Sequence, residues 1–161
     1  MGCGKSTLGR ELAAGLDLLF VDLDKYIEKK YFRTISKIFT DEGEERFREK
    51  ERICLLEVSA FEDVVVAAGG GAPCFFDNID VMNRTGCCVF LDVADEVLVT
   101  RLLQSKSERP LIQGKSVDEL TWAIQKMMKE RRKFYEKARY TVHGENISCG
   151  DVIAKIGMNC G

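Results

Sequence analysis

Short runs of apolar residues alternate along this chain with longer segments in which apolar residues recur at helical spacing. Three of these runs, at 18–23, 64–68 and 87–93, are apolar at nearly every position rather than at every second one. Unbroken apolarity is typical of strands that are buried on both faces, as in a parallel sheet. Strands that alternate with helices predict a doubly wound α/β domain.

The segments between the apolar runs carry the start and stop signals of helices. Thr34 is placed to cap a helix that Gly43 ends. Ser116 and Glu119 have the spacing of a capping box. The sequence predicts helices at 6–16, 24–31, 35–41, 44–61, 78–85, 95–104, 116–138 and 150–158, with a last short strand at 140–143.

The length of 161 residues fits one domain spanning residues 1–161, because domains typically contain about 100–200 residues. Basic residues number 24 and acidic residues 26, and the net charge of −2 offers nucleic acid no electrostatic attraction. No apolar run approaches the roughly 18–20 residues of a membrane span, and the N-terminus lacks the apolar core of a signal peptide. We therefore expect a cytoplasmic monomer that binds neither nucleic acid nor membranes.

Seven cysteines are many for this length, and their number is odd. No Cys-x-x-Cys pair occurs, and the single histidine, His143, has no neighbour at metal-ligand spacing, so we expect no zinc site. An odd count without a secretory signal favours reduced thiols that serve as small hydrophobic residues. Cys3 is the exception, because the backbone amides of an anion-binding loop would favour its reactive thiolate.

Residues 2–7, Gly-Cys-Gly-Lys-Ser-Thr, match the end of the phosphate-binding pattern Gly-x-x-x-x-Gly-Lys-[Ser/Thr]. In such a loop the glycines turn backbone N–H groups towards phosphate oxygens, and a helix N-terminus adds partial positive charge. Lys5 would reach the β- and γ-phosphates, and the Ser6 hydroxyl would hold Mg²⁺. The alternative is a glycine-rich turn that happens to precede a helix.

The first glycine of this pattern and the strand that feeds the loop would both lie ahead of Met1. We therefore expect a chain that starts inside the phosphate loop and lacks the first strand of its sheet. On this hypothesis Met1 is an internal methionine of the loop, and the upstream coding sequence encodes an apolar strand that ends in glycine.

Two further patterns follow strand ends, where the ligands of open α/β sheets bind. Asp22 and Asp24 would point to the same side of a strand, and Mg²⁺ with a nucleotide would offset their repulsion. The alternative is a polar strand end in which Asp24 caps the next helix. Three glycines at 69–71 follow the strand at 64–68 and suit close approach of a ligand, although a loop with positive φ also favours glycine.

Two other features have both a structural and a functional interpretation. Arg48 and Glu51 lie three residues apart on a predicted helix, so their side chains can pair. The pair is either a surface ion pair or a guanidinium that Glu51 holds for an anionic substrate. The polar stretch at 105–115 contains Arg109 and Pro110. It is either a solvated connection between two helices or a lid over a ligand.

Six motifs occur in order and in register from residue 1 to about residue 140: Gly-x-Gly-Lys-Ser-Thr, Asp-x-Asp, Gly-Glu-x-x-Phe-Arg-x-x-Glu, Gly-Gly-Gly-Ala-Pro, Arg-Pro-Leu and Arg-x-x-x-Tyr. Together they resemble the motifs of shikimate kinases. The resemblance implies a doubly wound parallel sheet of five strands, with the absent first strand at its centre, helices on both faces and a closing lid at 105–116. It also implies transfer of the γ-phosphoryl group of ATP to the 3-hydroxyl of shikimate, in the route to chorismate and the aromatic amino acids.

The resemblance implies a role for each residue that matches these motifs. ATP would bind at Gly2, Cys3, Gly4, Lys5, Ser6, Thr7, Arg101 and Arg109. Mg²⁺ would be held at Ser6 and Asp22. Shikimate would bind at Asp24, Arg48, Gly69, Gly70, Gly71 and Arg131. The implied catalytic residues are Lys5, Asp24 and Arg109.

Asp24 would orient or deprotonate the reacting hydroxyl, and Arg109 would arrive with the lid and neutralise charge on the transferring phosphoryl group. Arg131 is preferred to Arg132 because Arg-x-x-x-Tyr135 fits the family, and adjacent helical residues point about 100° apart. The alternative for this arginine pair is a solvated basic face.

Two other functions stay open at this stage. A different small-molecule kinase, such as a gluconate kinase, would share the loop and the lid but has no obvious use for both Arg48 and Arg131. A non-catalytic relative that binds nucleotide or a partner protein is the second. The expected absence of the first strand argues for it, and four intact residues argue against it: Lys5, Asp24, Arg48 and Arg109.

Overall fold

The computed structural model describes residues 2–104 and 116–157. Helices and strands alternate along most of this part of the chain, as the apolar pattern predicts. In chain order the elements are α1 (Lys5–Gly15), β1 (Leu19–Asp22), α2 (Leu23–Tyr31), α3 (Ile35–Val58), β2 (Val64–Ala67), α4 (Asn78–Thr85), β3 (Val89–Asp92), α5 (Asp95–Gln104), α6 (Val117–Tyr135), β4 (Tyr140–His143) and α7 (Cys149–Ile156). A 3₁₀ turn at Ala72–Cys74 lies between β2 and α4.

The strands of the described residues form two parallel pairs. In the first pair Asp22 at the end of β1 stands opposite Ala67 of β2. In the second, Asp92 at the end of β3 stands opposite His143 of β4. Parallel strands joined through helices confirm the α/β fold class, and acidic residues end one strand of each pair. The central strand expected ahead of residue 1 stays a prediction.

Most element ends lie within two residues of the positions that local signals predict. The helices predicted at 78–85 and 95–104 have those bounds. The helices predicted at 35–41 and 44–61 form the single element α3, which is interrupted at Gly43, where φ is +82° and ψ is 172°. The Thr34 hydroxyl caps α3 by accepting a hydrogen bond of 3.2 Å from the Lys37 nitrogen. Only glycine adopts the φ and ψ angles found at Gly43 without strain, so the sequence marks the position of the kink.

Three groups of buried residues form the core. The largest joins α2 to α3 through Leu23, Ile27, Ile38, Phe47, Cys54, Leu55, Val58 and Ala72. The second joins α5 to α6 through Val93, Leu98, Val99, Leu102, Leu120, Ile124 and Met128. The third joins α1, β4 and α7 through Leu8, Leu12, Val142 and Val152.

The cysteines of the described residues are free thiols. Cys54 is fully buried in the first group, and burial raises its pKa to about 11. Burial likewise raises the pKa of Cys88 to about 11. These two behave as the small hydrophobic residues that the sequence predicts. Within 2–104 and 116–157, none of the helices combines the length and apolarity that crossing a membrane requires.

Candidate active site

Gly2 and Gly4 lead the chain into α1 in the left-handed conformation, with φ of +77° and +85°. Gly4 is the N-cap residue, and its carbonyl oxygen accepts the first helical hydrogen bond, 2.9 Å from the Leu8 nitrogen. At Gly2 a Cβ atom would lie 3.1 Å from Leu102, so space as well as φ favours glycine. The first turn of α1 carries no acidic side chain, so its N–H groups and partial positive charge suit an anion.

A chain of polar contacts links this turn to the end of β1. The Ser6 hydroxyl donates a hydrogen bond of 2.7 Å to Asp22 Oδ2, and Lys5 Nζ lies 3.4 Å from Ser6 Oγ. An ammonium, a hydroxyl and a carboxylate are thereby brought together at the carboxyl edge of the strand, next to the helix N-terminus. Thr7 is exposed beside them, and Cys3 is half-buried against the α5–α6 core.

Asp22 and Asp24 do not share one face of a strand, so that prediction is wrong. The strand ends at Asp22, whose Oδ1 caps α2 by accepting hydrogen bonds from the nitrogens of Asp24 (3.1 Å) and Lys25 (3.4 Å). The alternative in which Asp24 is the cap is wrong for the same reason. Asp24 instead lies in the first turn of α2, and its Oδ1 approaches the backbone at Gly69.

Two of the three glycines that follow β2, Gly69 and Gly71, are needed for space. A Cβ atom on Gly69 would lie 2.7 Å from Asp24 Oδ1, and one on Gly71 would lie 2.5 Å from Arg48 Nη1. Gly71 has an ordinary φ of −87°, so positive φ is not the reason for glycine there. The loop at 69–71 thus packs its backbone directly against a carboxylate and a guanidinium.

Arg48 is almost completely buried in a cage of acidic and aromatic side chains. Its Nη1 lies 2.8 Å from Glu51 Oε2, and its Nη2 lies 2.9 Å from Glu44 Oε1. The guanidinium also lies over the Phe75 ring, 4.1 Å from its centroid. Burial raises the pKa of Glu51, and the ion pair with Arg48 opposes that rise in part. The pair is therefore internal, and the surface interpretation of the Arg48–Glu51 spacing is wrong.

The two neighbouring arginines of α6 have different surroundings. Both Nη atoms of Arg132 donate to the Asp92 carboxylate, at 3.1 and 2.8 Å. Arg131 lies close enough to Glu51 and Cys74 for its positive charge to oppose the rise that burial causes in their pKa values. Arg131, Arg48 and Asp24 therefore all lie near the Glu51 carboxyl.

Arg101 of α5 contacts the loop after β4. Its Nη2 donates to the Glu145 carbonyl oxygen and, at 3.0 Å, to Asn146 Oδ1. This contact borders an open pocket of about 360 Å³ lined by Glu96, Val97, Thr100, Arg101, Gln104, Glu145 and Asn146. The pocket places Arg101 at a cleft rather than on a helix face packed against the core.

Four side chains that contact this region have no role predicted from the sequence: Glu44, Asp92, Tyr135 and Phe75. Glu44 has a detectable signal, its i,i+4 spacing to Arg48, and Asp92 repeats the position of Asp22 at a strand end. Tyr135 closes the Arg-x-x-x-Tyr motif, whereas Phe75 carries no local signal. The predicted site residue Arg109 and the lid at 105–115 lie outside the described residues.

Three features of this region define a class of protein: a glycine-rich loop at a helix N-terminus, acidic residues at the carboxyl ends of parallel strands, and an adjoining cluster of arginines. That class is the small-molecule kinases of the P-loop fold.

Comparison with known proteins identifies the family. The model of the family described as "Shikimate kinase" matches residues 1–158. The chain is 51% identical over 140 residues to the shikimate kinase of Bacteroides fragilis, covering 87% of this chain and 78% of that protein. It is 48% identical over 147 residues to the shikimate kinase of Bacteroides thetaiotaomicron, covering 91% of this chain and 84% of that protein. The chain belongs to the shikimate kinase family.

Solved structures agree with this assignment. The crystal structure of the Bacteroides thetaiotaomicron shikimate kinase gives a TM-score of 0.89 at 48% identity, covering 91% of this chain and 84% of that one. The structure of the Acinetobacter baumannii shikimate kinase in complex with shikimate gives a TM-score of 0.86 at 34% identity, covering 98% of this chain and 87% of that one. The fold inferred from the apolar pattern is therefore that of this family.

Proposed function

We propose that this chain transfers the γ-phosphoryl group of ATP to the 3-hydroxyl of shikimate, giving shikimate 3-phosphate and ADP. The observation that carries the proposal is the arrangement around the glycine loop. A carboxylate, Asp24, and a caged guanidinium, Arg48, pack against the same loop, at Gly69 and at Gly71. A small molecule with a carboxylate and hydroxyl groups has complementary chemistry.

The ATP phosphates would lie at the N-terminus of α1. The backbone N–H groups of Gly2, Cys3 and Gly4, with the side chains of Lys5 and Thr7, would contact phosphate oxygens. Arg101 and the pocket beside Asn146 would accept the adenine end. Arg109 would arrive with the lid and offset charge on the transferring group.

The donor set beside Lys5 fits magnesium. Mg²⁺ prefers oxygen ligands and is usually held by one or two carboxylates or hydroxyls together with substrate phosphates and water. Ser6 and Asp22 offer a hydroxyl and a carboxylate oxygen 2.7 Å apart. These two residues would hold the ion, which, when bound, offsets the negative charge of the phosphates.

Shikimate would bind with its carboxylate between Arg48 and Arg131. The planar guanidinium suits a carboxylate because it donates two parallel hydrogen bonds. The hydroxyl groups of shikimate would face residues 69–71. Asp24 would accept the proton of the reacting hydroxyl. The oxygen of that hydroxyl would attack the γ-phosphorus, and ADP would leave.

A coupled ADP-release assay tests this function. We expect ADP release to require shikimate and to cease when Mg²⁺ is chelated, with gluconate unable to replace shikimate. Release with gluconate instead of shikimate would support a different small-molecule kinase. ATP binding without acceptor-dependent ADP release would support a non-catalytic protein.

A further inference from the structure

Tyr135, the last residue of α6, connects that helix to the glycine loop. Its hydroxyl donates a hydrogen bond of 2.6 Å to the Gly70 carbonyl oxygen. Its ring lies against Phe90 of β3, with 5.2 Å between the ring centroids. Burial raises the pKa of Tyr135, which the nearby Arg131 guanidinium opposes in part, so the phenol is protonated at neutral pH and remains a donor.

The Gly70 carbonyl belongs to the peptide group that joins Gly70 to Gly71. Because a peptide group is planar, holding its carbonyl oxygen fixes the orientation of the whole unit. The residues on either side of Gly70 are closely packed, since Gly69 packs against Asp24 and Gly71 against Arg48. Movement of this peptide would therefore change the separation between that carboxylate and that guanidinium.

At its other end, the hydrogen bond between Tyr135 and Gly70 is anchored on α6. Tyr135 lies one helical turn after Arg131, so the two side chains occupy the same face of α6. Arg132 is held away by its paired hydrogen bonds to Asp92. The Tyr135 hydroxyl thus joins the helix that carries Arg131 to the loop that packs against Arg48.

We propose that Tyr135 is a positioning residue for shikimate, acting through the Gly70 carbonyl. Its hydrogen bond sets the glycine loop at the distance from α6 at which Asp24, Arg48 and Arg131 engage one shikimate molecule. This inference rests on the proposed function. A carboxylate held by two arginines on separate elements requires such a link, because neither helix alone fixes their separation.

The test is Y135F, which removes the hydroxyl and keeps the ring against Phe90. The matched control is Y26F, since the Tyr26 hydroxyl also makes one hydrogen bond to a protein acceptor, 3.1 Å from Glu57 Oε2. One hydrogen bond contributes about 1 kcal/mol, so we expect Y135F to raise the Kd and KM for shikimate about 3- to 10-fold. The KM for ATP and kcat should stay within about 2-fold, and Y26F should change none of these constants.

Calorimetric titration with shikimate and steady-state kinetics separate the possible failures. If the unmodified protein phosphorylates shikimate and Y135F binds it equally well, this inference is overturned and the proposed function stands. Equal increases in the shikimate KM for Y135F and Y26F would also overturn it, because they would reflect general loosening. If the unmodified protein neither binds nor phosphorylates shikimate, the proposed function fails first.

A double-mutant cycle tests the route through the loop. We expect Y135F and G71A to be non-additive in the shikimate Kd, because both displace the same segment. Additive effects would contradict action through Gly70.

Discussion

The Arg48 guanidinium lies 2.8 Å from the Glu51 carboxylate, and the two side chains are only 9% and 2% exposed. Such a pair is expensive to break from one side, because an uncompensated buried charge costs about 3–5 kcal/mol. Truncation of either residue to alanine would therefore confound loss of function with loss of folding. Conservative substitutions separate the two effects.

Arg48→Lys keeps the positive charge but loses the planar fork. A charge-assisted hydrogen bond contributes about 1.5–3 kcal/mol, so we expect the KM for shikimate to rise about 10- to 100-fold with a smaller change in kcat. Steady-state kinetics with shikimate varied at saturating ATP measures this. Arg46→Lys, on the same helix at an exposed pair with Glu49, is the control and should behave as the unmodified protein. An unchanged shikimate KM in the Arg48 variant would remove this residue from the carboxylate site.

Gly71→Ala tests whether the glycine loop needs space rather than flexibility. The added Cβ would meet Arg48 Nη1 at 2.5 Å, so the guanidinium must shift. Overpacking of this kind costs about 1–3 kcal/mol, and we expect the shikimate KM to rise about 5-fold or more. Gly15→Ala, where the added group would point into open space, is the matched control. Wild-type kinetics for Gly71→Ala would show that Arg48 is free to move without consequence.

Asp24→Asn keeps the shape of the side chain and removes its capacity to accept a proton. General-base groups contribute about 10²- to 10⁴-fold to turnover, so we expect kcat to fall by that factor while shikimate still binds. Asp17→Asn, at an exposed position, is the isosteric control. Single-turnover kinetics with full activity in the Asp24 variant would assign the proton to another acceptor.

Glu51→Gln tests the burial of its carboxyl through pH. Burial raises the pKa of Glu51 above its ordinary value of 4.5. A carboxyl with a raised pKa favours the folded state when protonated, so its contribution falls as pH rises through the folded value. We expect the free energy of unfolding of the unmodified protein, relative to Glu51→Gln, to be greatest below pH 4.5 and to decline as the pH rises towards neutral. Urea denaturation below pH 4.5 and at neutral pH measures this.

The control for that experiment is Glu49→Gln, which removes a more exposed carboxylate from the same helix. A difference between the unmodified protein and Glu51→Gln that grows towards neutral pH would contradict the sign derived from burial.

Local signals account for the parts of the fold that the sequence predicts well. The Ser116–Glu119 capping box forms with both of its hydrogen bonds, and Gly43 interrupts α3 where the sequence places a break. These features depend on neighbouring residues, so a single sequence contains them. The predicted end of α6 at residue 138 is three residues late, because the helix ends at Tyr135, the residue that bonds the glycine loop.

Contacts between distant residues explain what the sequence could not supply. Tyr135 and Gly70 are 65 residues apart, and Arg132 and Asp92 are 40 apart. Motif spacing identifies candidate residues for the site but does not reveal which neighbour holds each one. The placement of Asp24 fails for a related reason: whether a strand ends one residue earlier or later decides whether its side chain follows strand or helix geometry.

The identity of the phosphorylated product is the most direct test of phosphoryl transfer to the 3-hydroxyl of shikimate. The protein is incubated with Mg-ATP and shikimate, and the products are examined by ³¹P and ¹H nuclear magnetic resonance. We expect ADP and one phosphomonoester whose phosphorus couples to the proton on carbon 3 of the shikimate ring. A phosphate on another hydroxyl, or inorganic phosphate with unchanged shikimate, would contradict it.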